Sequence, residues 1–290
     1  MARVAFVTCT TWPEIAVSDA LVADALGRRG VAVEARPWNG PLQDFDQFDA
    51  VVLRSNWDYH HACDAFVGWL DRVEAAGVRV WNEPALVRWN LSKRYLLELA
   101  AAGVPTVPSA VLDGDPEGLG EILAERGWHE AVVKPLVSAS AHHTVRVRVA
   151  DGDVGRVVAA LAAGEIRTPV LVQPFVEEIR THGEWSVVFI DGVATHALLK
   201  RPGAGDFRVQ HYLGGSVEAR PAPSAVVAAA RRTIAALPIT PLYARIDGVE
   251  TRAGFQVMEV EVNEPGLFFD LAPDAAKALA SAILRRLESP

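Results

Sequence analysis

Leu242-Tyr-Ala-Arg-Ile-Asp-Gly-Val249 and Phe255-Gln-Val-Met-Glu-Val-Glu-Val-Asn263 are two strand-like segments near the C-terminus, joined by a short connection that ends at Gly254. Side chains alternate between the two faces of a strand, so each segment has one apolar and one polar face. A three-residue hairpin loop over 252–254 places Gly254 in the left-handed conformation that such loops require. The resulting register predicts two facing pairs, Arg245 with Glu261 and Asp247 with Glu259.

The polar face of this hairpin is rich in oxygen atoms. It contains Arg245, Asp247, Glu259, Glu261 and Asn263, whereas the apolar face contains Ala244, Ile246, Met258, Val260 and Val262. A solvated polar face is the ordinary arrangement for an antiparallel pair. Carboxylate and amide oxygens are also the ligands that Mg²⁺ accepts, usually together with substrate phosphates. The hairpin alone therefore leaves two interpretations open, a solvated surface and a metal site.

The composition is that of a globular protein and argues against a nucleic acid or a membrane as its partner. The 290 residues are 50% hydrophobic, enough to bury the core of two or three lobes. A net charge of -8 and scattered basic residues argue against nucleic-acid binding. Two cysteines without metal-type spacing, no signal-peptide pattern and no membrane-length apolar run predict a reduced, cytoplasmic setting. The sequence leaves a homo-oligomer open.

The order of strand-like and helix-like segments predicts three lobes. Residues 1–88 alternate short strands with helices, as parallel α/β proteins do, and form the predicted N-terminal substrate lobe. Residues 89–169 follow a long helix predicted over 86–102 and contain a compact α+β unit that we interpret as a lid. Residues 170–290 contain a hairpin signal at Asp191-Gly192 and the opening hairpin, and form the predicted C-terminal lobe.

Basic and small polar residues in the last two lobes are candidates for binding phosphates. Lys134 ends an apolar strand, and Lys93 lies on the predicted helix; a solvated lysine is the ordinary alternative for both. Ser140 belongs to a small polar segment after Lys134 that can donate backbone and hydroxyl hydrogen bonds. Lys200 and Arg208 lie in a long Gly-rich stretch, and their charges suit a transferring phosphoryl group, although a disordered basic loop is the alternative.

Gln173, Phe175 and Val176 form an irregular apolar stretch around Pro174, whose ring removes a ladder donor. Such a stretch suits an adenine ring, although core packing explains Phe175 equally well. Glu184 begins the next strand and can accept hydrogen bonds from ribose hydroxyls, or simply end the strand in solvent.

Arg54-Ser-Asn-Trp-Asp-Tyr59 follows a strand of the first lobe. Ligands of open α/β sheets bind beyond the carboxyl ends of strands, so this motif is a candidate substrate site. Arg54 suits a carboxylate and Asp58 an ammonium group, with Ser55 and Asn56 between them. Simple packing of Trp57 and Tyr59 is the alternative.

Taken together and in order, these residues resemble the ATP-grasp superfamily over nearly the whole chain. The matching positions are Lys93, Lys134, Gln173 to Val176, Glu184, Phe207-Arg208, Arg245-x-Asp247 and Glu261-x-Asn263. The resemblance implies a three-lobed fold, α/β and α+β, in which ATP lies between a small lid lobe and the C-terminal lobe. A leading alternative from the residues alone is a kinase that stops at phosphoryl transfer, and another is a non-catalytic nucleotide-binding module.

The resemblance also implies a role for each matching residue. Lys93 and Lys134 would hold the phosphates, with Ser140 nearby; Gln173, Phe175 and Val176 would hold the adenine, and Glu184 the ribose. Asp247, Glu261 and Asn263 would bind Mg²⁺, two ions in all, for which Mn²⁺ can substitute. Arg245 would stabilise the acyl phosphate and the tetrahedral intermediate that follows, and Arg208 would contact the γ-phosphate or the substrate carboxylate. Glu259 has no role in the family and is predicted to contact Arg245 or Asp247, or solvent.

Further segments are similar to the subgroup that contains O-ureido-D-serine cyclo-ligase, a ring-closing enzyme of antibiotic biosynthesis. They are 53–59, 88–90, 134–140 and 200–210. In this chain Ser138-Ala-Ser140 replaces the Gly-rich loop of the wider superfamily. The implied activity is an ATP- and Mg²⁺-dependent ligase that activates an amino-acid-like carboxylate as an acyl phosphate and joins it to an amine, either of a second molecule or of the same one.

Overall fold

The described residues form three β-sheets with helices packed against them. The computed structural model describes residues 1–41, 45–209 and 213–288. Within the predicted 200–210 motif, Gln210 lies outside the described residues. In the part of the chain that the structure describes, no helix is both long enough and apolar enough to cross a membrane.

The first sheet is parallel and buried on both faces. Its strands are β1 (Ala2–Thr8), β2 (Val31–Pro37), β3 (Ala50–Leu53) and β4 (Val80–Trp81), in the order β2-β1-β3-β4. Helices α1 (Val17–Gly27) and α2 (Cys63–Ala75) cover opposite faces, because alternate residues of β1 pack into two separate apolar clusters. The α/β character predicted for this part of the chain is confirmed.

Two short helices, not one long helix, lead from the first sheet to the second. They are α3 (Pro84–Leu91) and α4 (Tyr95–Ala101), and Ser92 between them is extended. The prediction of one helix over 86–102 was wrong because the backbone N–H of Lys93 donates to the carbonyl of Leu136 (2.9 Å) instead of continuing a helix. Lys93 therefore lies in the break between the helices.

The second sheet is antiparallel and small, as expected of a lid. Its strands are β5 (Ala110–Leu112), β6 (Glu130–Pro135), β7 (Val145–Arg148) and β8 (Val170–Pro174), in the order β5-β8-β6-β7. Helices α5 (Gly118–Arg126) and α6 (Asp153–Ala162) pack with these strands in one apolar cluster. The segment 136–144, which we call the lid loop, connects β6 to β7.

The third sheet is the largest and joins the other parts. Its strands are β9 (Glu184–Ile190), β10 (Val193–Arg201), β11 (Ser216–Ala219), β12 (Tyr243–Thr251) and β13 (Gly254–Glu261), in the order β11-β10-β9-β12-β13. Its helices are α7 (Glu178–Thr181), α8 (Ser224–Ala235) and α9 (Pro273–Glu288). Residues of α4 and α8 pack on one face, and α1 and α9 on the other. The first and third sheets thus share a core.

The opening hairpin, β12 with β13, has the predicted register at its polar end. Arg245 pairs with Glu261 and Asp247 with Glu259. The turn, however, has two residues rather than three, since Thr251 pairs with Gly254, and a β-bulge restores the register by inserting Met258. Gly248 allows the bulge, because a Cβ there would lie 2.4 Å from the carbonyl oxygen of Gln256.

Candidate active site

A cavity of about 340 Å³ lies between the second and third sheets. Its walls include residues of β6 and β8 on one side and of β9, β10, β12 and β13 on the other. The predicted site residues that line it are Lys93, Lys134, Ser140, Gln173, Phe175, Val176, Glu184, Lys200, Arg208, Arg245, Asp247 and Glu261. The predicted residues that do not line it are Asn263, Arg54, Ser55, Asn56 and Asp58. The structure therefore gathers residues from two sheets and several loops at one place.

One end of the cavity is apolar and aromatic. The ring of Phe175 meets that of Phe207 edge to face (5.8 Å between centroids), and the Arg146 guanidinium lies 3.8 Å above the centre of the Phe175 ring. Gln173, buried in β8, donates to the hydroxyl of Ser109 (2.9 Å). Flat apolar walls with a buried amide beside them suit a planar heteroaromatic ring.

Lys93 connects the lid loop to the third sheet. Its ammonium donates to the carbonyl of Ser138 (2.7 Å) and forms an ion pair with Glu259 (3.1 Å). The prediction that Glu259 contacts Arg245 or Asp247, or faces solvent, is therefore corrected. Although burial opposes it, the nearby charges of Lys93 and Lys134 hold the pKa of Glu259 below its usual value.

Lys134 is a buried cation at the end of β6, and only 8% of it is exposed. Among the described residues, no carboxylate lies within 4.0 Å of its ammonium group, in contrast to Lys93 and Lys200. Burial, together with the charge of Lys93, lowers the pKa of Lys134 despite the more distant Glu259 and Glu184. A buried ammonium without an ion pair is costly, so this side chain is poised for an anion in the cavity.

Arg245 and Lys200 neutralise the acidic residues at the opposite end. Arg245 donates through Nε (2.9 Å) and Nη2 (2.8 Å) to Asp247, and the same Nη2 also contacts Glu261. Lys200 contacts Asp247 (3.2 Å) and Glu184 (3.1 Å). It lies near the end of strand β10, where the predicted strand ends and the Gly-rich stretch begins.

Burial and neighbouring charges shift the pKa values of these carboxyl groups in opposite directions. Although burial raises it, Arg245 and Lys200 hold the pKa of Asp247 well below its usual range. Burial, together with the charges of Asp247 and Glu259, raises the pKa of Glu261 to about 7. Burial also raises the pKa of Glu184. Divergent pKa values of this kind concentrate at functional sites.

Asp247, Glu261 and Asn263 are a suitable donor set for Mg²⁺. Within 1–41, 45–209 and 213–288, no group of three His, Cys, Asp or Glu side chains is arranged to hold a metal. Asp247 and Glu261 nevertheless contact the same Arg245 nitrogen, so their oxygens are close together. The amide of Asn263 is buried, and its Nδ2 has no hydrogen-bond partner among the described residues. Two carboxylates and an amide fit an ion that shares its remaining ligands with phosphates.

Arg208 reaches the cavity from the loop after β10. It forms an ion pair with Asp206 (2.9 Å), which also accepts the backbone N–H of Arg208 and Phe207. These contacts, chiefly with the Arg208 side chain, lower the pKa of Asp206 to about 2. Asp206 thereby holds Arg208 near the apolar end of the cavity.

The predicted substrate residues have structural contacts instead of cavity positions. Arg54 pairs with Asp19 (3.1 Å), and Asn56 donates to the Asn263 side chain (2.9 Å). Ser55 is 1% exposed, and Asp58 accepts from the Trp38 indole (2.7 Å). The motif lies at the carboxyl end of β3 as expected, where Arg54, Asn56 and Trp57 bond to residues 263–265 after β13. Its two aromatic residues, Trp57 and Tyr59, line the cavity. A substrate role for the four candidate residues stays a prediction.

Glu264 and Met258 line the cavity although sequence reasoning assigned them no role. Burial and the charge of Glu261 raise the pKa of Glu264 to about 8. Met258 was expected on the apolar core face, but the bulge places it at the cavity wall, and Val257 takes its place in the core. For Glu264, the sequence offered one signal of a cavity position, namely that it directly follows Asn263. For Met258 it offered none, because a bulge leaves no trace in a period-2 pattern.

A second cavity, of about 410 Å³, adjoins the first where the lid loop meets the first lobe. Aromatic and imidazole side chains line it: Trp12, Trp57, His60, His61, His142 and His143. The ring centres of His60 and His142 are 5.4 Å apart. Burial, with the charges of His61 and His142, lowers the pKa of His60 to about 4.

Comparison with known protein families shows to which family this architecture belongs. The profile of the prokaryotic glutathione synthetase ATP-grasp domain matches residues 101–268, which include the cavity residues of the second and third sheets. This chain belongs to the ATP-grasp family. The profile of the N-terminal domain of D-cycloserine synthetase DcsG matches residues 4–82, in the first lobe of the ATP-grasp protein.

Individual relatives extend the match over nearly the whole ATP-grasp chain. The cycloserine biosynthesis protein DcsG of Streptomyces lavendulae is 32% identical over 276 residues, which span 89% of this chain and 90% of that protein. The crystal structure of D-cycloserine synthetase DcsG has a TM-score of 0.86 at 30% identity, covering 99% of this chain and 100% of the other. D-alanine–D-alanine ligase of Bacillus anthracis has a TM-score of 0.70 at 17% identity, covering 99% and 97%, which supports the fold alone.

The implied three-lobed ATP-grasp fold and the implied enzyme class are confirmed. The protein is an ATP-dependent ligase that forms a C–N bond between a carboxylate and an amine. ATP-grasp ligases use ATP and Mg²⁺, and the donor set at Asp247 and Glu261 fits that requirement. The exact lobe boundaries and the roles of individual residues stay predictions.

Proposed function

We propose that this ligase closes a small amino-acid-like substrate into a ring, as an enzyme of antibiotic biosynthesis. The observation that carries the proposal is the similarity to DcsG, which extends through the first lobe as well as the nucleotide-binding lobes. The second cavity supports it, since it adjoins the first and its aromatic and imidazole lining offers room for a small amino-acid-like molecule.

The reaction has two steps. A carboxylate oxygen of the substrate forms a bond to the γ-phosphorus of ATP, and the bond from that phosphorus to the β,γ-bridging oxygen breaks, releasing ADP. The amine nitrogen of the same molecule then bonds to the acyl carbon, phosphate leaves with the electrons of the C–O bond, and the nitrogen loses a proton. The product is lighter than the substrate by one water.

Different cavity residues bind the nucleotide and stabilise the charges that develop in these two steps. Lys93 and Lys134 bind the nucleotide phosphates with Ser140 beside them, Gln173 and the backbone of Phe175 and Val176 bind the adenine, and Glu184 binds the ribose. Arg245 stabilises the negative oxygen that develops at the acyl carbon, and Arg208 and Lys200 stabilise the phosphoryl charge. Preorganised cations in a water-poor site act on developing charge without rearranging.

Asp247, Glu261 and Asn263 hold the divalent ions, which we propose number two, with Mn²⁺ able to replace Mg²⁺. When bound, such ions neutralise the phosphate charge that would otherwise repel the attacking carboxylate. Arg245 pairs with both Asp247 and Glu261, which keeps the two carboxylates together.

The decisive experiment is a screen of amino-acid analogues, including O-substituted serines, for ADP release followed by mass analysis. A product lighter than its substrate by one water supports ring closure, and a heavier adduct supports joining of two molecules. Hydroxylamine added to the reaction should trap the acyl phosphate as a hydroxamate. ADP release that never yields a hydroxamate would contradict the acyl phosphate.

Asp247→Asn and Glu261→Gln should each reduce turnover about a hundredfold or more, because a metal ion supplies several kcal/mol of charge stabilisation. Steady-state ADP release at saturating ATP measures the effect. Asp274→Asn, at an exposed position that does not line the cavity, is the control and should leave turnover unchanged. Normal turnover of Asp247→Asn would rule out the proposed metal site.

A further inference from the structure

The segment after β3 forms hydrogen bonds with three consecutive residues, from Asn263 to Pro265. Arg54 Nη2 donates to the carbonyl of Pro265 (2.9 Å), and the Trp57 indole donates to the carbonyl of Glu264 (3.2 Å). Between them, Asn56 Nδ2 donates to the Asn263 side-chain oxygen (2.9 Å). The partners are more than 200 positions apart in the chain, so these bonds join the first lobe to the proposed metal site.

The Asn56 bond differs from its neighbours because it ends on a side chain. The bonds from Arg54 and Trp57 end on main-chain carbonyls and hold the backbone. The bond from Asn56 ends on Oδ1 of Asn263 and sets the rotation of that amide. In this arrangement Asn56 presents its NH₂ group and Asn263 presents its oxygen, while Asn56 Oδ1, like Asn263 Nδ2, has no hydrogen-bond partner among the described residues.

The Asn263 amide has little else to hold it. Its Nδ2 has no hydrogen-bond partner among the described residues, and the side chain is 2% exposed, so solvent does not fix it either. A carbonyl oxygen has two lone pairs, so Oδ1 can accept from Asn56 and still serve a cation. The orientation of the oxygen therefore depends on Asn56.

We propose that Asn56 is a positioning residue that orients the side-chain oxygen of Asn263 for the divalent cation. This inference rests on the proposed function, since it assumes that Asp247, Glu261 and Asn263 bind the metal. It replaces the predicted substrate role of Asn56 with a role in metal affinity. Partners that orient metal ligands typically change metal affinity about 10- to 100-fold when removed.

The test measures how ADP stabilises the full-length protein against heat as the Mg²⁺ concentration rises. Asn56→Ala should raise the Mg²⁺ concentration at half-maximal stabilisation about tenfold or more. ADP binding without Mg²⁺, measured by calorimetry, should not change, because Asn56 does not line the nucleotide cavity. Loss of metal-free ADP binding as well would overturn the proposal, since it would indicate general damage to the fold.

Asn56→Asp separates positioning from simple electrostatics and keeps the size of the side chain. A negative charge beside a cation site should tighten Mg²⁺ binding if charge alone matters. Positioning predicts weaker binding, because the carboxylate cannot donate and Asn263 must turn its NH₂ group toward it. Tighter or unchanged Mg²⁺ binding in this variant would overturn the proposal.

Asn82→Asp is the matched control at the same junction. Asn82 is equally buried, but within the described ranges its amide hydrogen-bonds only to main-chain groups, those of Leu242, Tyr243 and Val262. This variant should melt at a lower temperature with the Mg²⁺ requirement unchanged, and a tenfold shift in that requirement would overturn the specific role of Asn56.

Failure of the proposed function and failure of this inference give different results. If wild-type protein bound ADP with no Mg²⁺ dependence and formed no hydroxamate, the proposed function itself would fail. Normal wild-type behaviour with unaffected Asn56 variants would refute this inference alone.

Discussion

At the scale of single residues, the site consists of paired charges with one exception. Lys93, Lys200 and Arg245 each have a carboxylate partner, whereas Lys134 is buried without one among the described residues. A buried cation without a partner lowers the stability of the unliganded protein and raises its affinity for an anion. We therefore expect Lys134 to lower the free energy of unfolding and to strengthen nucleotide binding.

Lys134→Met should weaken ADP binding about 10- to 100-fold, the value of one charge-assisted hydrogen bond to a phosphate. The same variant should melt at an equal or higher temperature, because an apolar side chain of similar length replaces a buried charge. Calorimetry and thermal melting measure the two effects. Lys277→Met, at an exposed lysine, should change neither; a Lys134→Met protein that is much less stable would contradict this account.

At the scale of elements, the lid loop adopts a glycine-like backbone without glycines. Ser140, Ala141 and His143 have φ values of 53°, 54° and 54°. Left-handed backbone costs a residue with a side chain roughly 1 kcal/mol. The loop is nevertheless held in place, because Lys93 bonds to the carbonyls of Leu136 and Ser138.

Ala141→Gly should stabilise the protein by up to about 1 kcal/mol, since glycine adopts positive φ without steric cost. Ala139→Gly is the matched control, because Ala139 lies in the same loop without a positive φ and packs beside the first-lobe core. That variant should be destabilised by about 0.5–1 kcal/mol. Urea unfolding measures both, and equal shifts of the same sign would contradict the role of backbone strain.

The lid loop also meets the first lobe through imidazoles, which predicts a pH effect. Burial, then neighbouring histidines, lowers the pKa of His60 to about 4 and lowers the pKa of His142. An unfolded histidine titrates near about 6.5, so the unfolded state takes up protons first as the pH falls. The stability contributed by the uncharged His60 is thus fully present above about pH 6.5 and is lost as the pH falls toward 4.

His60→Gln should flatten the fall in melting temperature between neutral and acidic pH. His129→Gln, at an exposed histidine outside the cluster, should leave the slope as it is in the wild type. The groups that face His60 include Lys93 as well as His61 and His142, and their charges act in the same direction. An unchanged slope in His60→Gln would contradict the assignment.

At the scale of the whole molecule, one core joins the first and third sheets. Helices α1 and α9 pack between them, and the buried Arg54–Asp19 pair lies at the same junction, with Arg54 also over the Tyr243 ring (4.7 Å). Burial opposes the charge of Arg54, but Asp19 raises its pKa above the usual value. The first lobe is therefore an integral part of the metal-site environment.

Asp19→Asn should destabilise the protein by about 3–5 kcal/mol, because it leaves the Arg54 charge buried without its counter-ion. Urea unfolding measures the loss. Asp274→Asn breaks an exposed ion pair and should cost less than about 1 kcal/mol. A loss below 1 kcal/mol in Asp19→Asn would indicate that the pair contributes nothing to the junction.

The sequence by itself determined the lobes' general character and most of the cavity residues. Strand alternation is a local property, so the polar face of the opening hairpin and the facing pairs Arg245–Glu261 and Asp247–Glu259 were predictable. The order of basic and acidic residues along the chain then predicted the family. The two-residue turn was missed, but its bulge compensated for it.

Only the tertiary structure decided which residues meet across long stretches of chain. The pairs Lys93–Glu259 and Asn56–Asn263 join segments that no periodic pattern relates. The burial of Arg54 against Asp19 follows from closing the first and third sheets around one core. The exchange of Met258 for Val257 in the core on the opposite face follows from the β-bulge in the hairpin. Local sequence sets which face a side chain takes, whereas the packing of distant elements selects its partner, and for Asn56 that partner is a proposed metal ligand.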